Sequence, residues 1–220
     1  MKRFYVMLGV LTVALVAMLV YLLKSNPSAP RAANQAPVTV VDDGFRGYTL
    51  GSDSAPVEVI EYGDFECPAC AGFAVIQMPT IKEQLIATGK VHWRYRDYPL
   101  PMHPFSRLAA HAAQCAGEQG KFWEMHDQLF TNHSWAQTGK NPTGLFTGFA
   151  RATGVDLARY DACMESGRYA ARIEFSRQEG EQRQVNGTPT FYINGKMYMG
   201  RNNSDAFKAA IDSAAAARRR

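Results

Sequence analysis

The sequence predicts an α/β fold that carries an inserted helical subdomain and is preceded by a single transmembrane helix. Three observations carry this prediction. Two apolar, alternating runs, Val57 to Tyr62 and Val91 to Arg96, bracket a stretch of helical periodicity. Residues 104 to 184 keep a helical period and contain no convincing strand. Phe4 to Leu23 is a run of twenty residues without a charge, about 30 Å long as a helix, which matches a bilayer core.

Composition sets the outer limits. The 220 residues are 46% hydrophobic and 20% charged, values of a globular chain with room for one sizeable core. The formal charge is +4, and the basic tail Arg218-Arg219-Arg220 (218–220) supplies three of those charges. No basic stripe interleaved with aromatics is present, which argues against nucleic acid as a partner.

Residues 1–24 form a cytoplasmic start, Met1-Lys2-Arg3, and the apolar run. The run is apolar on every face, unlike a core helix, and longer than the roughly 7–15 residues of a signal-peptide core. No clear Ala-x-Ala cleavage site follows. An uncleaved signal anchor is therefore favoured over a cleaved signal. Lys2 and Arg3 stay inside and the rest of the chain faces outward, where disulfides form and persist. Residues 25–50 are a proline-bearing linker, semi-rigid and extended, followed by a possible edge strand in Val38 to Leu50.

The first part of the α/β domain spans 51–103. A turn, Gly51 to Pro56, precedes the strand Val57 to Tyr62. The helix after Cys67 runs to about Thr88 and is kinked or split at Pro79, which lacks the N–H and crowds the preceding turn. Gly89 suits a C-terminal cap. With the strand Val91 to Arg96, this makes a β-α-β unit, hence a parallel pair with a right-handed crossover. The insertion, 104–184, reads as five helices: Phe105 to Ala116, Lys121 to Phe130, one opened by Asn141 with Pro142 at its first position and ending near Gly154, one capped by Asp156 and reaching Ser166, and an amphipathic one from Tyr169 to about Gln184. The second part, 185–217, holds a strand at Phe191 to Ile193, the type I′ turn signal Asn194-Gly195, a return strand Lys196 to Met199, and a last helix capped by Ser204. This order is the layout of a thioredoxin-like fold with a helical insertion.

The chemistry concentrates in Cys67-Pro68-Ala69-Cys70, between a strand and a helix. At the first turn of a helix, free N–H groups and the dipole favour a thiolate, the form that attacks a disulfide. The i, i+3 spacing puts both sulfurs on one face. Pro68 suits the first helical position, where its missing N–H costs nothing. Cys67 is expected to be the exposed nucleophile and Cys70 the shielded resolving thiol. A zinc site would need two more ligands, usually a second close pair, whereas Cys115 and Cys163 stand apart. The histidines, His92, His103, His111, His126 and His133, have no metal-ligand spacing and read as core or surface residues; His103, before Pro104, has a supporting role open to it. Trp93, Trp123 and Trp135 read as core or interface residues.

With Glu-Tyr-Gly-Asp-Phe-Glu-Cys-Pro-Ala-Cys (61–70), Tyr-Arg-Asp-Tyr-Pro-Leu (95–100), Gln-Gly-Lys-Phe-Trp (119–123) and Gly-Thr-Pro-Thr-Phe (187–191), the sequence resembles the DsbA-like thiol–disulfide oxidoreductases, in particular their membrane-anchored, two-disulfide subgroup. The likeness covers roughly Ser54 to Ala216. It implies that Pro189 is cis and lies beside the dithiol, that Thr188 tunes sulfur reactivity and substrate release, and that Glu61 is a buried acid that relays the Cys70 proton. The alternation Val57, Val59, Glu61 is compatible with a buried carboxylate; an exposed charge at a strand end is the alternative for Glu61, and an ordinary strand-leading proline the alternative for Pro189. The resemblance also implies a bond between Cys115 and Cys163, against two free buried thiols. Strongly oxidising members often carry His where Ala69 stands, so a less oxidising poise is expected.

The function expected is extracytoplasmic thiol–disulfide exchange that introduces disulfides into secreted or envelope proteins, in a bacterial cell membrane, with no cofactor or metal. Its partners would be thiol-containing substrate proteins and an integral membrane, quinone-linked thiol oxidase that restores the Cys67–Cys70 disulfide. The chain is expected to be a monomer. A disulfide reductase or isomerase of the same fold is one alternative; a non-catalytic binding or chaperone module is another.

Overall fold

The computed structural model describes Thr12, residues 15–18, Val40, residues 42–198 and residues 204–218. The chain divides into two compact units, Met1–Pro37 and Val38–Arg220. In the first, Thr12 and residues 15–18 are helical, and Leu15, Val16 and Met18 are exposed. Among the described residues no helix is long and apolar enough to cross a membrane. The expected span, Phe4 to Leu23, lies outside the described residues apart from these five positions.

The second unit is built on a five-stranded sheet. Its strands are β1 (Tyr48–Leu50), β2 (Val57–Gly63), β3 (Val91–Asp97), β4 (Thr190–Ile193) and β5 (Lys196–Tyr198), in the order β1-β3-β2-β4-β5. β2 and β3 run parallel, with Val57 opposite Val91 and Gly63 opposite Asp97; the other pairs are antiparallel. β2 lies between β3 and β4 and is covered on both faces. Val57 and Val59 pack with Phe73, Ile81, Leu85, Phe191 and Phe207. Ile60 and Tyr62 pack on the other side with Tyr98, Val185 and Tyr192. The alternation in β2 thus sorts residues between two cores rather than between core and water. The β4–β5 turn has Asn194 at φ 45° and Gly195 at φ 79°, the two positive φ values that a type I′ turn requires.

Between β2 and β3 the helical run changes pitch three times without a break: α1 (Pro68–Gly72), a π-helical turn (Phe73–Gln77), α2 (Met78–Ile81) and a second π-helical turn (Lys82–Ile86). Pro79 falls in the first turn of α2. It has no N–H to give to the turn before it, and there the backbone widens, with Met78 N–H donating five residues back to Phe73 O. Gly89 follows the run at φ 73°.

The insertion comprises α3 (Ser106–Gly117), α4 (Phe122–Thr131), α5 (Thr143–Thr153), α6 (Leu157–Ser166) and α7 (Ala170–Gln182), with a 3-10 turn at His133–Gln137. On α3, Ala109, Ala110, Ala112, Ala113 and Ala116 are buried. Their small side chains let α4, α6 and Phe65 close around them in one core with Phe122, Met125, Leu129, Trp135, Phe146 and Tyr160. Gly117 is needed where it stands: a Cβ there would collide with the ring of Tyr48, which stacks on Phe122 at 3.6 Å. Two expectations shift. α5 begins one residue late, because the Asn141 side chain accepts from Thr143 N–H at 3.0 Å and forms a turn of its own. α7 is not amphipathic in the expected sense. Its buried residues are Ile173, Ser176 and Gly180, and it is tied down by ion pairs, Arg107 to Glu174 and the buried Arg96 to Glu179. Asp156 caps α6 as expected, accepting from Arg159 N–H at 3.0 Å. The last helix, α8 (Ser204–Arg218), packs Phe207 and Ile211 under the sheet.

Candidate active site

The end of β2 delivers the chain into a tight turn. Cys67 N–H donates to Asp64 O at 3.1 Å. Cys67 is the extended N-cap of α1 (φ −76°, ψ 122°), Pro68 lies in its first turn, and Ala71 N–H donates back to Cys67 O. Pro68 and Ala69 are exposed, whereas Cys67 and Cys70 are free thiols and both buried; Cys67, expected to be exposed, is 7% accessible, because the turn before β4 comes up against it. The Thr188–Pro189 peptide is cis. The turn before β4 approaches Cys67, whose thiol donates to Thr188 O at 3.4 Å.

The two sulfurs differ sharply. The Cys67 thiol is pulled down to about 5, first by the hydrogen bond that the Cys70 thiol donates to its thiolate, then by Thr188 and by the N–H groups of Cys70 and Ala69, all against the cost of burial. The two N–H groups are the free groups of a helix start. Cys70 is fully buried, and burial, followed by the Cys67 sulfur and the charge of Glu61, pushes it well above the ordinary thiol range. One sulfur is thus a ready thiolate at neutral pH and the other holds its proton.

Glu61 lies beneath this pair at 2% exposure, so the exposed alternative does not apply. Burial raises its carboxyl to about 8, and the Trp93 indole N–H, donating to Oε2 at 3.2 Å, opposes that rise. Glu58, on the same strand, pairs instead with Arg94 at 2.7 Å. Cys67, Cys70, Pro68, Ala69, Thr188 and Glu61 therefore form one locality, with Pro189 adjoining. Cys115 and Cys163 are bonded to each other in the insertion.

The sequence reading gave no role to Asp64 or Glu66. The Asp64 carboxyl is buried and accepts from Glu66 N–H at 2.8 Å, Leu100 N–H at 2.9 Å, His103 Nδ1 at 2.7 Å and the Ser106 hydroxyl. Glu66 accepts from Phe105 N–H at 2.7 Å, and burial raises its carboxyl. His133 Nε2 is 3.1 Å from Phe65 O, and His126 packs edge-on against the Phe65 ring. The segment 100–106 is thereby stapled to the turn that carries Cys67. Two acids flanking Phe65 immediately before the cysteines were the available signal. His103 is the histidine that reaches this network. A separate cavity of about 440 Å³, lined by Thr49, Asp53, Ala55, Glu58, His92 and Arg94, opens near the first residues of β2 and β3 and has neither Cys67 nor Cys70 in its lining.

The family described as thioredoxin matches residues 46–213. A "Na(+)/H(+) antiporter NhaA 1" of Salinispora arenicola is 38% identical over 178 residues, 80% of this chain; the chain spans only 26% of that antiporter's length. A "Probable disulfide bond formation protein D" of Bacillus cereus is 29% identical over 168 residues, covering 74% of this chain and 76% of the relative. Among solved structures, oxidised BdbD from Bacillus subtilis superposes with a TM-score of 0.70 at 26% identity, covering 80% of this chain and 96% of that one. Alpha-DsbA1 from Wolbachia pipientis shares the fold, with a TM-score of 0.69 at 23% identity, over 77% of this chain and 91% of its own. The match over residues 46–213, with a dithiol of unequal acidity at a helix start set against Thr188-Pro189, places the chain in the thioredoxin family.

Proposed function

We propose that this protein is an extracytoplasmic oxidase of protein thiols. The inequality of the two sulfurs carries the reading: a stabilised Cys67 thiolate favours the reduced site, and a site that prefers to be reduced oxidises others. In the oxidised site a substrate thiolate attacks Cys67 Sγ. The Cys67–Cys70 bond breaks, a mixed disulfide forms, and Cys70 leaves as a thiolate that takes a proton, with Glu61 as the nearby donor. A second substrate thiolate then attacks the substrate sulfur of the mixed disulfide and expels Cys67, whose low pKa makes it a good leaving group. The substrate gains one disulfide, and Cys67 and Cys70 hold the two electrons. No metal or organic cofactor takes part. The exposed Pro68 and Ala69 and the edge near Thr188 suit an extended substrate chain, such as a secreted or envelope protein.

Phe4 to Leu23 supports a single membrane anchor with the dithiol outside, in a bacterial cell envelope. An integral membrane, quinone-linked thiol oxidase is the reoxidant in keeping with that position, and the exchange cycle needs one copy of the chain. Ala69, which offers no side-chain donor, favours the competing reading, a disulfide reductase or isomerase. The reduction potential against glutathione decides between them. The oxidase reading expects a value nearer the roughly −120 mV of a strong protein oxidant than the roughly −270 mV of thioredoxin; a value near the latter would transfer the assignment to the reductase. Loss of refolding activity in Cys67→Ser excludes a non-catalytic binding module.

A further inference from the structure

A second sulfur cluster lies inside the insertion and takes no part in the exchange cycle. Cys115, on α3, is bonded to Cys163, on α6. His111 stands one helical turn before Cys115, on the same face of α3. Its Nε2 is 3.5 Å from Cys115 Sγ and 3.1 Å from Cys163 O. Nε2 and the two sulfurs all lie within 4.8 Å of one another, and all three residues are buried. Apolar packing among the alanines of α3 does not call for an imidazole here. The His111 Nδ1 is buried with no hydrogen-bond partner, an uncommon state for a polar atom in a core.

We propose that reduction of the Cys115–Cys163 bond converts His111, Cys115 and Cys163 into a site for one thiophilic d10 cation, Zn²⁺ or Cu⁺. While bonded, the sulfurs are not thiolates and the site is closed. A dithiol reductant opens it: the S–S bond breaks, two electrons and two protons pass to Cys115 and Cys163, and the reductant becomes a disulfide. While the disulfide is intact, Nε2–H donates to Cys163 O; on binding, the imidazole proton moves from Nε2 to Nδ1, that hydrogen bond is given up, and the cation displaces both thiol protons and takes the freed Nε2 lone pair. Metal–sulfur bonds of about 2.3 Å and metal–nitrogen bonds of about 2.0 Å set ligand atoms of one ion roughly 3.5–4 Å apart, and the Nε2–Sγ separation already falls in that range. Two thiolates and an imidazole select soft or borderline ions over Mg²⁺ and Ca²⁺. Three protein ligands suit Cu⁺ as they stand, whereas Zn²⁺ needs a fourth.

The test uses the full chain carrying C67S/C70S, so that the exchange dithiol does not compete, kept reduced under anaerobic conditions and titrated with Zn²⁺ in one arm and Cu⁺ in the other. The expected result is one retained ion per reduced chain in at least one arm, none in the oxidised chain, and an X-ray absorption shell of two sulfurs and one nitrogen. H111Q is expected to weaken retention tenfold or more. Retention that survives oxidation, a shell lacking sulfur or nitrogen, or an affinity unchanged in a folded H111Q chain overturns the proposal. Should H111Q unfold the reduced chain, protection of Cys115 and Cys163 from alkylation by the bound ion, read with His111 in place, serves instead; alkylation at the same rate with and without ion overturns it equally.

Discussion

Cys67 and Cys70 are the same side chain three residues apart, and their environments alone separate them. Cys67 has the Cys70 thiol and then the N–H groups of a helix start donating to it, while Cys70 has burial and the charges of Cys67 and Glu61 around it. The pH consequences have opposite signs. Cys67 in the reduced protein is depressed to about 5, so its contribution to stability is fully present above the ordinary thiol range near 8.5 and is lost as pH falls through about 5. Glu61 is raised to about 8. The folded chain holds that proton more tightly than the unfolded one, so its contribution is full below about 4.5 and is lost as pH rises through about 8. Glu61→Gln is therefore expected to remove the loss of stability between about pH 5 and 8, measured by urea unfolding across pH. It should also remove an inflection near pH 8 in the rate of exchange. An unchanged rate profile would mean that Glu61 does not supply the Cys70 proton. A buried carboxylate at Glu61 was implied by the resemblance and compatible with the alternation in β2; its partner Trp93, thirty-two residues away, was not legible, because sequence spacing carries no information about which side chains of neighbouring strands meet.

At the scale of elements, the β2–α1 turn and the segment 100–106 behave as one piece because Asp64 and Glu66 join them. Asp64→Asn is expected to cost about 2–3 kcal/mol, since an amide would turn donors toward at least one of the Leu100 N–H, His103 and Ser106 donors and leave buried groups unpaired. Urea denaturation measures the loss, and the thiolate absorbance of Cys67 on titration tells whether the turn also moved. Some signals written in local code were readable: the Asp156 cap of α6 and the Asn194-Gly195 hairpin turn came out as expected. The widened turns around Pro79 and the ion-paired α7 were not. A helical period in apolar residues does not distinguish pitch, and it does not see arginine–glutamate pairs formed between elements.

Across the whole insertion, the Cys115–Cys163 bond closes a 48-residue loop that contains α4 and α5 between its ends on α3 and α6. Such a loop confines the unfolded chain, and Cys115→Ser with Cys163→Ser is expected to lower stability by roughly 4 kcal/mol while leaving the reactivity of Cys67 in place. Equilibrium unfolding of the pair of variants, followed by exchange assays at a temperature where both fold, checks each half of that statement. By itself the sequence determined the order of elements and the strand-to-helix position of the dithiol, because periodicity, turn residues and the Cys-x-x-Cys spacing are local properties of a chain; the place of Pro189 beside the dithiol was implied by the family resemblance alone. Only the tertiary structure decided which cysteine is acidic, that Asp64 rather than a residue of the motif centre holds the turn, and that His111 meets the second pair of sulfurs. Those are sums over neighbours brought together from distant positions, where burial and hydrogen-bond donors are set by the fold rather than by the adjoining residues.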